Sequence, residues 1–113
     1  MSKWRDLADR LEGKAPKNAR RSKKWPKTRN EYLFGRTCVV CGGKKYLVAH
    51  HEIPFHLAPH LELEWDNLIP LCEAKRYGIN CHLLLGHLGN WARVNVSVRA
   101  DIAYWHERII VSR

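Results

Sequence analysis

Four cysteines constrain this 113-residue chain more than any other feature: a close pair, Cys38 and Cys41, and two distant ones, Cys72 and Cys81. The N-terminus lacks the apolar stretch of a secretory signal, and no run approaches the roughly 20 apolar residues of a membrane span. An intracellular, cytoplasmic chain with no membrane partner is therefore expected, where thiols stay reduced or bind metal rather than pair. The two-residue spacing of Cys38 and Cys41 lets both thiolates face one ion from a single turn, and Cys72 and Cys81 can supply the other corners of a tetrahedral zinc site. Four thiolates close the shell, so the work expected of this Zn²⁺ is structural. Buried or incidental thiols are the alternative, because EAKRYGIN separates Cys72 from Cys81 and makes the second pair looser than a usual zinc knuckle. A domain this small has few other staples, and that weighs toward the ion.

The length suits one compact domain and an arm. Residues 1–37 hold twelve Lys and Arg against four Asp and Glu, and residues 38–113 hold eight against seven, within a total net charge of +9. A near-neutral body carrying a basic extension points to a polyanion, most simply nucleic acid. The expected division is residues 1–24, a basic N-terminal helix and linker arm, and residues 25–113, the folded domain. Trp4, Leu7, Ala8 and Leu11 share a helical face over 2–12, and KAPKNARRSKK after them has no large apolar residue to supply a core. Lys14, Lys17, Arg20, Arg21, Lys23, Lys24, Lys27 and Arg29 are the candidate phosphate contacts. A solubilising tail is the bland alternative, and phosphate binding is the better reading because the charge is one-sided.

From Trp25 the pattern changes. Pro26 suits a first helical turn, and Trp25, Arg29, Tyr32 and Leu33 share a face up to Gly35. CVVCGG forms a tight turn, Tyr46 to Ala49 reads as a strand running into His50 and His51, and Leu68 to Leu71 reads as a second strand ending at Cys72. Asn80 can cap a helix that starts at Cys81 and His82, and a last helix over about 98–110 turns Val98, Ile102, Tyr104, Trp105 and Ile109 partly inward. The alternation of Glu62, Glu64 and Asp66 with Leu61, Leu63 and Trp65 reads as a solvent-facing edge. Trp25, Trp65, Trp91 and Trp105 read as core packing rather than base-stacking surfaces. His106, His56 and His60 read as ordinary surface or core histidines.

His50 and His51 are adjacent at a strand end, so their side chains leave opposite faces of the backbone. One can bind a metal while the other addresses a different atom. With HHEIPFHLAPHLELEWDNLIPLC and NCHLLLGH following, residues 22–91 resemble the HNH endonuclease family, the ββα-metal nucleases, because CxxC, HH, a spaced Asn, LC and CH occur in the family's order. The resemblance implies an α+β fold, a small zinc-stabilised ββα-metal core with flanking helices. It implies His51 as general base, His50 and His82 as ligands of a catalytic ion, and Asn67 as the residue that pins the loop between the strands. Cys38, Cys41, Cys72 and Cys81 match the family's structural zinc site. His87 is a further candidate ligand, although five α-helical residues rotate about 500°, or 140° net, and share a face less well than four.

What the resemblance implies for function is a metal-dependent DNA endonuclease, with nicking of one strand among its outcomes. Mg²⁺, Mn²⁺, Ni²⁺ or Zn²⁺ would be the catalytic cation and DNA the partner. Two rivals stand beside it: a non-catalytic zinc-dependent DNA-binding module, and a nuclease subunit active only in a larger assembly such as a phage packaging complex. A homodimer, and an origin in a bacterium or a phage, belong to the same set of expectations.

Overall fold

The computed structural model describes residues 4–5, 20–73, 75–76 and 79–111. In chain order the elements are α1 (Trp25–Leu33), β1 (Leu47–His51), single 3-10 turns at Pro59–Leu61 and Trp65–Asn67, and β2 (Leu68–Cys72). A two-residue pairing of β3 (Lys75–Arg76) with β4 (Ile79–Asn80), a π-type helical turn (His82–Gly86) and α2 (Val98–Val111) complete the α+β fold. Lys14, Lys17 and the helix expected over 2–12 lie outside the described residues, except that Trp4 and Arg5 are helical. Trp4 packs on a small cluster of Ile53 and Ala58.

The sheet is β1 antiparallel to β2, with Leu47 opposite Cys72, His50 opposite Ile69 and His51 opposite Leu68. All five residues of LIPLC are buried, as a continuous apolar run demands when both faces are covered. Pro70 has no N–H to offer, and its carbonyl accepts from Val39 N–H on the cysteine turn at 3.1 Å. α1 has Pro26 in its first turn and ends ahead of Gly35, whose φ of +72° suits a residue without a side chain. Its Tyr32 hydroxyl donates to the Leu68 carbonyl at 2.9 Å and ties α1 to the start of β2.

The main core gathers the four cysteines with Val40, Ile69, Leu71, Leu85, Val98 and Ile102. It is too small to cover many rings, and this corrects two expectations. Among the described side chains of α2, Val98 and Ile102 go fully inward and Ile109 partly so, whereas Tyr104 and Trp105 are about half exposed. Trp65 and Trp91 are about half exposed as well, so core packing does not account for them. The described residues of the segment after Cys72 are paired as well. The β3–β4 pairing, with Lys75 opposite Asn80, reverses the chain and returns Cys81 to Cys72.

Candidate functional site

The thiols of Cys38, Cys41, Cys72 and Cys81 are all buried and lie within 4.8 Å of one another, with Cys41 and Cys72 Sγ 3.6 Å apart. A tetrahedral zinc with bonds near 2.3 Å has sulfur–sulfur edges of about 3.8 Å, so the four positions fit such an ion. Their protonation also suits one. The hydrogen bond from Cys81 lowers the Cys38 thiol to about 4, while burial raises Cys72 to about 11 and the bond to Cys38 raises Cys81. Hydrogen bonding thus favours the thiolate form at Cys38, the charge a cation would neutralise.

Strand alternation sends His50 and His51 to opposite sides of β1, as the sequence predicts. His50 joins His82 and His87, whose ligand nitrogens with its own lie within 4.8 Å of one another. His82 Nε2 is 3.1 Å from His50 Nδ1, close to the roughly 3.4 Å edge of a tetrahedral ion with nitrogen bonds near 2.0–2.1 Å. The five-residue spacing of His82 and His87 is no obstacle, because the turn between them is π-type and its i→i+5 pattern brings them to one side. Their ring centroids are 4.9 Å apart. Gly86 makes room for this: a Cβ there would stand 3.1 Å from His50 Nδ1 and 3.2 Å from His82 Cδ2.

The outer partners of these rings decide which nitrogen is free. A carboxylate and a carbonyl can only accept, so His82 donates from Nδ1 to Glu73 at 3.1 Å and His87 donates from Nδ1 to the Arg93 carbonyl at 3.0 Å. Both Nε2 lone pairs are then available to an ion. Burial lowers the pKa of His82 and takes that of His50 to about 3, helped by the neighbouring histidines, so these rings are neutral near pH 7, the state in which an imidazole can hold an ion.

His51 is held separately. Its Nε2 donates to the Glu62 carbonyl at 3.0 Å, which leaves Nδ1 as the nitrogen with a lone pair, and the Trp25 ring lies 4.5 Å from its own. Burial is the first cause of its lowered pKa, with the Arg21 charge adding and the Glu62 bond opposing. Asn67 is 1% exposed and closes the base of the loop: Oδ1 accepts from Ile53 N–H at 2.9 Å and Nδ2 donates to Ile53 O at 3.0 Å.

Glu62 is not the solvent-facing residue its sequence alternation suggests. It is 3% exposed, accepts from Ser22 N–H at 2.8 Å and pairs with Arg21 at 3.3 Å. Two 3-10 turns flank Glu62, so residues 59–67 never run as a strand, and Glu64 and Asp66 alone of the three acids are exposed. Two residues of the stretch read as linker are thereby fastened beside His51.

His50, His51, His82 and His87 line a cleft of about 540 Å³ with Arg21, Arg29, Trp25, Phe55 and His56. Of the expected phosphate contacts, Arg21 and Arg29 reach this cleft, with the Arg21 guanidinium 4.5 Å above the Phe55 ring. Arg20, Lys23, Lys24 and Lys27 are exposed and do not line it, and Lys27 faces Glu31 at 3.9 Å. Sequence reasoning passed over Glu73, Gly86 and the buried Asn95, whose Nδ2 donates to Leu85 O and to Asp101. Only Asn95 carried a legible signal, an Asn just ahead of a helix.

A two-stranded antiparallel sheet followed by a helical turn, with histidines converging between them and four thiols beside, defines a small ββα domain with two candidate metal centres. Residues 38–87 match the family described as HNH endonuclease, a span that runs from the first cysteine to His87 and takes in His50, His51, Asn67 and His82. The match supports an HNH endonuclease domain over these residues and, through it, a nuclease-family function. No curated protein and no solved structure matches the chain.

Proposed function

We propose that the protein is a metal-dependent DNA endonuclease in which His51 is the general base and His50, His82 and His87 hold the catalytic ion. The observation that carries this reading is the division at the end of β1: three converging imidazoles on one side, and on the other a single imidazole fixed by a carbonyl, both opening into one cleft. Held by the three histidines, a divalent cation such as Mg²⁺, Mn²⁺, Ni²⁺ or Zn²⁺ supplies Lewis-acid neutralisation of the scissile phosphate and of the departing 3′-oxygen. His51 Nδ1 takes the proton of the attacking water, and Nε2–H on the Glu62 carbonyl keeps the ring in that tautomer. Its depressed pKa keeps it unprotonated at neutral pH, the state a base requires. Asn67 holds Ile53, two residues past the base, and so sets the direction of the strand end. Arg21 and Arg29 attract the phosphate backbone into the cleft. Products carry 5′-phosphate and 3′-hydroxyl ends. This cleft, with one base and one ion site, engages one strand at a time, so nicking is the first product.

In this reading the four cysteines hold a structural Zn²⁺, residues 25–113 form the nuclease domain and residues 1–24 the basic arm. Incubation of supercoiled plasmid with the purified protein and each cation in turn tests it, with EDTA and His51→Ala as controls. Metal-dependent conversion to open-circle DNA that the variant lacks, at unchanged DNA affinity, is the expected result. Cleavage by His51→Ala near the wild-type rate removes His51 from the role of base. Salt-sensitive binding with no cleavage replaces the enzyme by a binding module or by a subunit that acts only in a larger assembly.

A further inference from the structure

We propose that Glu73 is a positioning residue for the histidine ion site: its carboxylate holds His82 in the Nδ1–H tautomer and so aims the Nε2 lone pair at the point shared with His50 and His87. This rests on the reading of the three histidines as an ion site. Glu73 is the first residue of the segment that separates Cys72 from Cys81, and its carboxylate lies 3.1 Å from His82 Nδ1. An unassisted imidazole divides itself between two tautomers and can flip its ring, so either nitrogen could face the cavity. A carboxylate on Nδ1 removes both freedoms, since it accepts and cannot donate.

Three further features make the contact a built one. Glu73 is fixed at the backbone, where its N–H donates to the Tyr46 carbonyl at 3.0 Å and prolongs the β1–β2 pairing by one bond. Tyr46 holds the left-handed φ of +57° there. The nitrogen opposite the contact, Nε2, points within 3.1 Å of His50 Nδ1, which is where a ligand lone pair is needed. His87 has the same arrangement in neutral form, its Nδ1 on the Arg93 carbonyl. Glu73 thus adds a negative charge one ring away from the cation, which increases the donor strength of His82. The segment that lengthens the path from Cys72 to Cys81 therefore has a second consequence, an outer carboxylate for the neighbouring centre.

The Glu73 side chain is 43% exposed, so its replacement leaves the core intact. The test uses full-length protein with zinc already on the cysteines, titrated calorimetrically with Ni²⁺ as wild type, Glu73→Gln and Glu73→Ala, with His82→Ala marking the site. The His82 tautomer is read by long-range ¹H–¹⁵N spectra before Ni²⁺ is added. Glu73→Ala should weaken Ni²⁺ binding by about 10–100-fold and release His82 into a tautomer mixture, while Gln, a neutral acceptor, loses less. Melting should be unchanged in both. Ni²⁺ affinity within twofold of wild type, or an Nδ1–H tautomer that survives in Glu73→Ala, overturns the role of Glu73 alone. Wild-type protein that binds no Ni²⁺ through His82 overturns the ion site and this role together.

Discussion

Asn67→Ala is the substitution whose cost follows most directly from the structure. The carboxamide satisfies both backbone groups of Ile53, N–H at 2.9 Å and C=O at 3.0 Å, and Ile53 is 0% exposed. Truncation orphans a donor and an acceptor together, each worth about 1–3 kcal/mol when buried without a partner. The Glu52 N–H bond to the Asn67 carbonyl, at 2.7 Å, is a main-chain contact and survives the change. With partial entry of water into the gap the net loss is about 3 kcal/mol. For a domain of this size each kcal/mol lowers the melting temperature by about 4–8 °C, so a fall of about 15 °C is expected by circular dichroism on zinc-loaded protein. Plasmid nicking at a temperature where both forms are folded should fall by at least about tenfold, because Ile53 sets the strand end that carries His51. A melting temperature within about 4 °C of wild type would refute the two-orphan reasoning. Full nicking by a destabilised but folded variant would refute the link from Asn67 to the base.

Gly86→Ala places a methyl 3.1 Å from the His50 ring and 3.2 Å from that of His82, and ion sites tolerate only about 0.2 Å of ligand error, so Ni²⁺ affinity should drop by about tenfold; an unchanged calorimetric isotherm contradicts this. Burial raises the pKa of Tyr32, so the folded state keeps its proton above pH 10 when the unfolded chain has lost it. Its contribution is complete below pH 10 and is lost as pH rises through the higher folded value; in urea unfolding from pH 8 to 11, Tyr32→Phe should cost about 1 kcal/mol at pH 8 and flatten the alkaline decline, and an unaltered slope refutes the assignment. Cys38→Ser removes one of four buried thiols from the centre of the core, and the variant should unfold or aggregate. A monodisperse, zinc-free Cys38→Ser protein with a normal melting transition contradicts a structural ion.

The sequence by itself determined the placement of the histidine pair, the four cysteines and the core face of the last helix. CxxC spacing, adjacent histidines at a strand end, an apolar run closing on a cysteine and an Asn ahead of Cys81 are local patterns, and local backbone geometry turns each of them into a placement. Thus β1 carries His50 and His51 to opposite sides, the four thiols converge, and Val98 and Ile102 face the core. Family order adds Asn67 and His82 to the same set. What only the tertiary structure decided are the features that depend on chain segments distant in sequence. Glu62 lies in an acidic alternation that suits a wet edge, yet two 3-10 turns place it under Ser22 and Arg21, and a contact across 40 residues leaves no local period. Glu73 looks like any polar residue after a strand until the Tyr46 carbonyl and the His82 ring stand around it. The fate of His87 turned on helix type, since a residue five positions on diverges in an α-turn and returns in a π-turn, and spacing alone does not reveal which will form. Aromatic rings divide the same way: a pattern marks Trp65, Trp91 and Trp105 as apolar, but the small volume around four thiols decides that they stay at the surface.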